Sequence, residues 1–220
     1  MNRVIIICEG QTEQEFCKKI LYPYFLEKGI LVEAPRIKKT MGGIVSWNTL
    51  KNQILNHLQS DKSSVVTTLI DYYGIKPSHG YPKWKIAEQQ IDKNLRMEIL
   101  EQGMKDDIDE NINIRFLPYF QLHEFEGLLF IGVEIFYELF YEHEIVNKEE
   151  LEKIFIQFDN PEMINDSPDT TPSKRLKRII SGYNKEVYGN IIAEQIGLER
   201  IRNKSPRFDA WIKKISLITK

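Results

Sequence analysis

The sequence predicts an α/β protein, a doubly wound and mostly parallel sheet flanked by helices, with a helical C-terminal half. Three observations carry this. The runs Arg3 to Cys8 (RVIIIC) and Ser64 to Ile70 (SVVTTLI) are almost wholly apolar or β-branched, the mark of strands buried on both faces. Segments of helical period alternate with such strands in the order βαβαβαβ as far as Leu117. After His123 the strand signals stop and helical patterns follow.

Taken in order, strand one ends at Glu9-Gly10. Thr12 and Glu15 read as a capping box, at N-cap and N3, opening a helix to about Glu27 that Gly29 closes. Residues 30–37 form a second strand, near an edge because Pro35 has no N–H to donate. Gly42-Gly43 leads into a helix from about Ser46 to Leu58. The third strand ends at Asp71, and residues 74–84 are a loop rich in Gly, Pro and aromatics. Lys85 to Leu100 is an amphipathic helix closed by Gly103, and Asn113 to Leu117 is a fourth strand stopped at Pro118. Beyond it, residues 127–141, 148–158, 187–202 and 206–217 have helical spacing, and 159–172 is a long loop. Thr171-Pro172 is the N-cap and N1 of a basic helix to about Ile180. The expected division is an α/β core over residues 1–126, with a basic helical extension over 127–220 packed on it.

Composition excludes several classes. With 42% hydrophobic residues and a net charge of −2, the chain is neither a disordered polyelectrolyte nor fibrous. No apolar run approaches the roughly 20 residues of a membrane span. The opening MNRVIIICEG is too short an apolar run for a secretory leader and ends in Glu9, so a cytoplasmic protein is expected. Cys8 and Cys17 make no disulfide framework and lack zinc spacing; Cys8 reads as a core residue. Charge is unevenly spread: from Thr171 onward 12 Lys and Arg face 4 Asp and Glu. That basic quarter attracts phosphate, or else it neutralises the acidic body.

In open α/β sheets ligands bind beyond the carboxyl ends of the strands. Strand one delivers Glu9, with Glu13 a turn further on. Strand three delivers Asp71, and strand four runs into His123-Glu124-Phe125-Glu126. Converging carboxylates repel unless a cation neutralises them, and an oxygen-rich set favours Mg²⁺ or Mn²⁺. Each acid also has a plain reading as a solvated strand end or helix first-turn residue. His123 reads as a buried, hydrogen-bonded orienter. Lys174, Arg175, Lys177, Arg178, Lys185 and Arg202 form the candidate nucleic-acid surface, with a solvated helix face as the alternative. Tyr72, Tyr73, Tyr81, Trp84 and Tyr183 are candidate base-stacking rings, with packing as the alternative.

Glu9-Gly10-Gln11-Thr12-Glu13 after a strand resembles the opening of Toprim domains in overcoming-lysogenization-defect-type nucleases. LIDYYGIKP, PYFQLHEFEGLLF, INDSPDTTPSKRL and YNKEVYGNIIAEQIGLERIR are similar to a Toprim-like prokaryotic family of unknown function, often encoded beside ATPases in phage-defence loci. The resemblance implies a Toprim-like, Rossmann-like core and metal-dependent phosphodiester cleavage of DNA or RNA. Glu9 matches the family's first Glu, Glu13 the second, and Asp71 the first Asp of an Asp-x-Asp pair. Tyr73 replaces the second Asp, and Glu124 or Glu126 is the expected substitute ligand. Lys174, Arg175 or Lys185 would stabilise transition-state charge. The implied partners are nucleic acid and an ATPase, with a homodimer possible and no membrane. The competing expectation is a non-catalytic, nucleic-acid-binding or regulatory subunit on the same scaffold. A phosphotransfer receiver is disfavoured, for want of its central Asp and late Lys in the right strand order.

Overall fold

The computed structural model describes residues 2–38, 45–165 and 167–218. Gly42-Gly43, expected to introduce a helix, and Asp166 of the long loop lie outside the described residues. The chain divides into two compact units, Met1–Leu122 with Lys213–Lys220, and His123–Ile212. The first boundary thus falls four residues before the expected one, and the chain's end groups with the first unit.

The first unit holds β1 (Asn2–Cys8), β2 (Ile30–Glu33), β3 (Val65–Asp71), β4 (Phe116–Leu117) and β5 (Phe120–Gln121). All their pairings are parallel, in the order β2-β1-β3-β4, with β5 also beside β3. The mostly parallel sheet is therefore as predicted, and β2 lies at an edge as expected, although it stops at Glu33, short of Pro35 and of the expected strand over 30–37. Val4 to Cys8 are buried without alternation, because the strand is covered on both faces. Each such aliphatic side chain contributes roughly 1.5–3 kcal/mol by leaving water.

β4 and β5 are one strand interrupted at Pro118. The register on β3 is unbroken, Thr67 facing Leu117 and Ile70 facing Phe120. Pro118 cannot donate to the ladder, so the Thr68 hydroxyl serves the break, accepting from Tyr119 N (2.9 Å) and donating to Tyr119 O (2.7 Å). This corrects the expected strand over 113–117. Its first residue, Asn113, ends α6 (Glu110–Asn113), whose N-cap Asp109 accepts from Asn111 N (2.8 Å), and Ile114-Arg115 are a turn.

The first helix is α1 (Gln11–Phe16), a π turn (Cys17–Leu21) and α2 (Tyr22–Leu26). The π turn comes just before Pro23, whose ring would meet the Lys19 carbonyl in an unbroken α-helix. Gly29, at φ +74°, takes the left-handed turn into β2. α3 (Trp47–Ser60) starts at the Ser46 N-cap as expected. The single helix expected from Lys85 is two, α4 (Trp84–Ala87) and α5 (Lys93–Asp106). Asp92 restarts the chain by accepting from Asn94 N (2.7 Å) and Leu95 N (3.3 Å). Gly103 lies inside α5 and does not close it; a Cβ there would stand 2.9 Å from the Pro82 carbonyl oxygen.

The second unit is helical: a 3₁₀ turn (Phe125–Leu129), α7 (Val133–Leu139), α8 (Lys148–Gln157), α9 (Pro172–Ile179), α10 (Lys185–Ile196), α11 (Leu198–Lys204) and the start of α12 (Pro206–Leu217). The helix expected over 127–141 is thus shorter. The one over 187–202 is split at Gly197, whose φ of +79° stops α10. Thr171-Pro172 does open α9. Phe130, Phe136 and Phe155 pack ring on ring, with centroids 5.7–6.2 Å apart. The buried Glu162 carboxylate accepts from Arg207 N (2.9 Å) and Phe208 N (3.1 Å), capping α12.

Candidate functional site

β1 and β3 are the adjacent central strands from which the sheet grows outward in both directions, so their carboxyl ends flank the topological switch point. Glu9 is the first residue past β1 and Asp71 the last of β3. The ladder carries on between them, Glu9 N donating to Leu69 O (3.1 Å). The Glu9 carboxylate then accepts from Asp71 N (3.0 Å). Both acids are half-buried at the rim. A cavity of about 530 Å³ opens beside Glu9, lined by Glu9, Gly10, Arg36, Ile37 and Lys38.

The capping role expected of Glu15 is taken by Glu13. Gly10, not Thr12, is the N-cap of α1, and the Glu13 carboxylate folds back onto Gly10 N (2.7 Å). Glu13 is only 1% exposed, so it serves the turn and does not present itself at the rim. Glu15 instead pairs with Lys18 (2.9 Å). Both candidate caps have the same three-residue spacing, and the glycine lacks the side-chain oxygen that marks a cap in sequence. Cys8 is fully buried, as expected, with its sulfur 3.7 Å from that of Cys17.

In the second unit His123 is buried in the left-handed region (φ +65°), uncommon for a non-glycine residue, with Nδ1 3.3 Å from the Asn165 amide nitrogen. Glu124 accepts from Ser173 N (2.8 Å) in the first turn of α9, where the helix dipole favours a carboxylate. Glu126 is 1% exposed and lies 3.6 Å from the Lys185 ammonium. Burial, and then Glu126 and Glu124, push the Tyr183 phenol well above its usual range.

The expected cationic surface is largely engaged within the unit. The Arg175 guanidinium is buried: Nε donates to Thr170 O (2.8 Å), Nη1 is 3.9 Å from Glu150, and the group lies 5.7 Å from the Phe158 ring centre. Arg178 donates to Glu150 (3.1 Å) and to Asp169 O (2.7 Å). Lys174 donates to Pro168 O (2.6 Å) and Asp169 (3.2 Å), and Arg202 to Asp209 (2.8 Å). Lys177 is exposed and in no ion pair among the described residues. Of the expected stacking rings, Tyr81 is buried against Phe120 and Tyr183 against Tyr188. Tyr72 and Trp84 remain half-buried and stack on each other, 6.1 Å between centroids.

Sequence reasoning missed Arg36 and Lys38. They follow an edge strand in the acidic part of the chain, away from the basic C-terminal quarter; their signal is the out-in-out alternation of Arg36-Ile37-Lys38. Among the described residues no group of three or more His, Cys, Asp or Glu side chains is arranged to hold a metal ion. None of the helices is long and apolar enough to cross a membrane, again among the described residues.

Fold and rim define an open parallel-sheet α/β protein with two acids at its switch point. The chain belongs to the family described as "Domain of unknown function (DUF4276)", which matches residues 8–216. Comparison with curated proteins and with solved structures found no significant match.

Proposed function

We propose that the protein is a Toprim-like, metal-dependent phosphodiesterase acting on nucleic acid. The observation that carries this reading is the Glu9 carboxylate held against Asp71 N at the switch point, with both acids half-buried. Mg²⁺ commonly takes only one or two carboxylates, completing its shell with water and substrate oxygens. Glu9 and Asp71, half-buried at the rim, suit that demand, whereas Glu13 is buried in the turn where it accepts from Gly10 N. Such an ion would supply Lewis acidity toward a phosphoryl oxygen and a more acidic water. The backbone hydrogen bond fixes the direction of the Glu9 carboxylate before substrate arrives, and Glu9 serves either as a ligand of the ion or as the base for the attacking water. The resemblance also supports an ATPase partner and a place in phage defence.

The test is calorimetric Mn²⁺ titration of the wild type, Glu9→Gln and Asp71→Asn, followed by Mg²⁺-dependent cleavage of mixed DNA and RNA. The expected result is binding and cleavage by the wild type and loss of both in each variant. Tyr73 at the second Asp position, and the want of a three-carboxylate group among the described residues, favour a second reading as a non-catalytic binding subunit. That reading predicts no cleavage by any form and unchanged nucleic-acid binding in both variants.

A further inference from the structure

Next to the Glu9 cavity, and within the same unit, is a second of about 440 Å³; Arg36 and Lys38 line both. Its other wall is one face of α3, bearing Thr49, Asn52, Asn56 and His57. That face is polar throughout and carries no carboxylate. Burial, seconded by Lys38 and Arg3 against Glu33, lowers the His57 pKa, so its ring is neutral at pH 7.

The backbone bearing the two cations is firmly held. Cys8 N donates to Pro35 O and Ile37 N to Cys8 O, each at 2.9 Å. The buried Gln53 side chain donates to Arg36 O (3.1 Å) and accepts from Lys38 N (3.0 Å). Ile37 is buried, so its exposed neighbours Arg36 and Lys38 share the opposite side. Neither forms an ion pair among the described residues, unlike Lys174, Arg178 and Arg202. Cations on a fixed backbone without acid partners, flanked by amide and hydroxyl groups, match the oxygens of a phosphodiester chain.

We propose that this groove binds the phosphate backbone of a nucleic-acid strand, with Arg36 and Lys38 on successive phosphates and the strand leading to Glu9 and Asp71. The inference deepens the phosphodiesterase reading and rests on it for the strand's destination. Binding itself requires neither metal nor cleavage.

The test is fluorescence anisotropy of labelled oligothymidylate and oligouridylate with the full chain in EDTA, over a salt series. The Arg36→Ala/Lys38→Ala double variant is expected to bind at least ~10-fold more weakly, with the slope of log K against log salt reduced by about 1.4, about 0.7 per lost phosphate contact. Lys62→Ala, exposed at the opposite end of β3, is expected to bind as the wild type does. An Arg36→Gln/Lys38→Gln variant with a wild-type thermal melt repeats the loss without a folding defect. A stronger effect on one probe assigns DNA or RNA. Wild-type affinity in both double variants, no binding of either probe by the wild type, or equal competition by polyglutamate would overturn the proposal. Groove-dependent binding without Mg²⁺-dependent cleavage would sink the phosphodiesterase reading alone.

Discussion

Arg175 and Lys177 stand two positions apart on α9 in opposite surroundings. Arg175 is buried between the Thr170 carbonyl, Glu150 and the Phe158 ring; Lys177 faces solvent. Truncating Arg175 leaves the Thr170 carbonyl without its donor and strips the packing from Phe158, at a cost of about 1–3 kcal/mol, while Glu150 keeps Arg178. An exposed cation outside any pair is worth less than about 0.5 kcal/mol to stability. Urea unfolding should therefore show a large loss for Arg175→Ala and almost none for Lys177→Ala. Equal stability of the two variants would mean that Arg175 does not brace its loop. In sequence the two belong to one basic run, and nothing local tells the structural cation from the solvated one. Glu9 and Asp71 were legible because a polar residue that follows a doubly buried apolar run must emerge at the sheet's rim. The Glu13 cap was not, because Gly10 carries no side-chain oxygen to announce it.

At the scale of the element, α5 shows propensity and packing pulling apart. Gly103→Ala would favour an isolated helix by about 1 kcal/mol. Here the new methyl would stand 2.9 Å from the oxygen and 3.1 Å from the carbon of the Pro82 carbonyl, both backbone atoms that cannot swing aside. We expect a net loss of about 1–3 kcal/mol, the usual cost of overpacking, read as a lower urea midpoint. A raised midpoint would show that the 82–83 loop yields. The same glycine reads in sequence as a helix terminator, since periodicity does not reveal a close neighbour. The break at 88–92 was hidden because Ile91 completes an apolar stripe yet is 97% exposed. Strand four was read too short for the converse reason. Pro118 looks like a stop, and only the Thr68 hydroxyl, bonded to Tyr119 across 51 residues, lets pairing resume in register.

Across the whole molecule, the first unit takes in Lys213–Lys220 as well as Met1–Leu122, and Ile215 is fully buried. Loss of one buried isoleucine forfeits roughly 1.5–3 kcal/mol, a large share of a domain's typical margin. A fragment of residues 1–122 should accordingly unfold at lower urea than the same fragment supplemented in trans with a peptide of residues 206–218. Identical midpoints would show that the unit is complete without its C-terminal segment. The sequence alone determined the parallel α/β core, its edge strand and the acids at its rim. Those follow from the burial of β-branched runs and from where Gly and Pro interrupt them, which are local properties of the chain. The tertiary structure alone decided which carboxylate caps a turn, which cations are tied to acids, and that Arg36 and Lys38 border the cavity beside Glu9. Charges and caps acquire their roles from partners brought near by folding, as Arg178 does from Glu150 across 28 residues, and no window of sequence contains both.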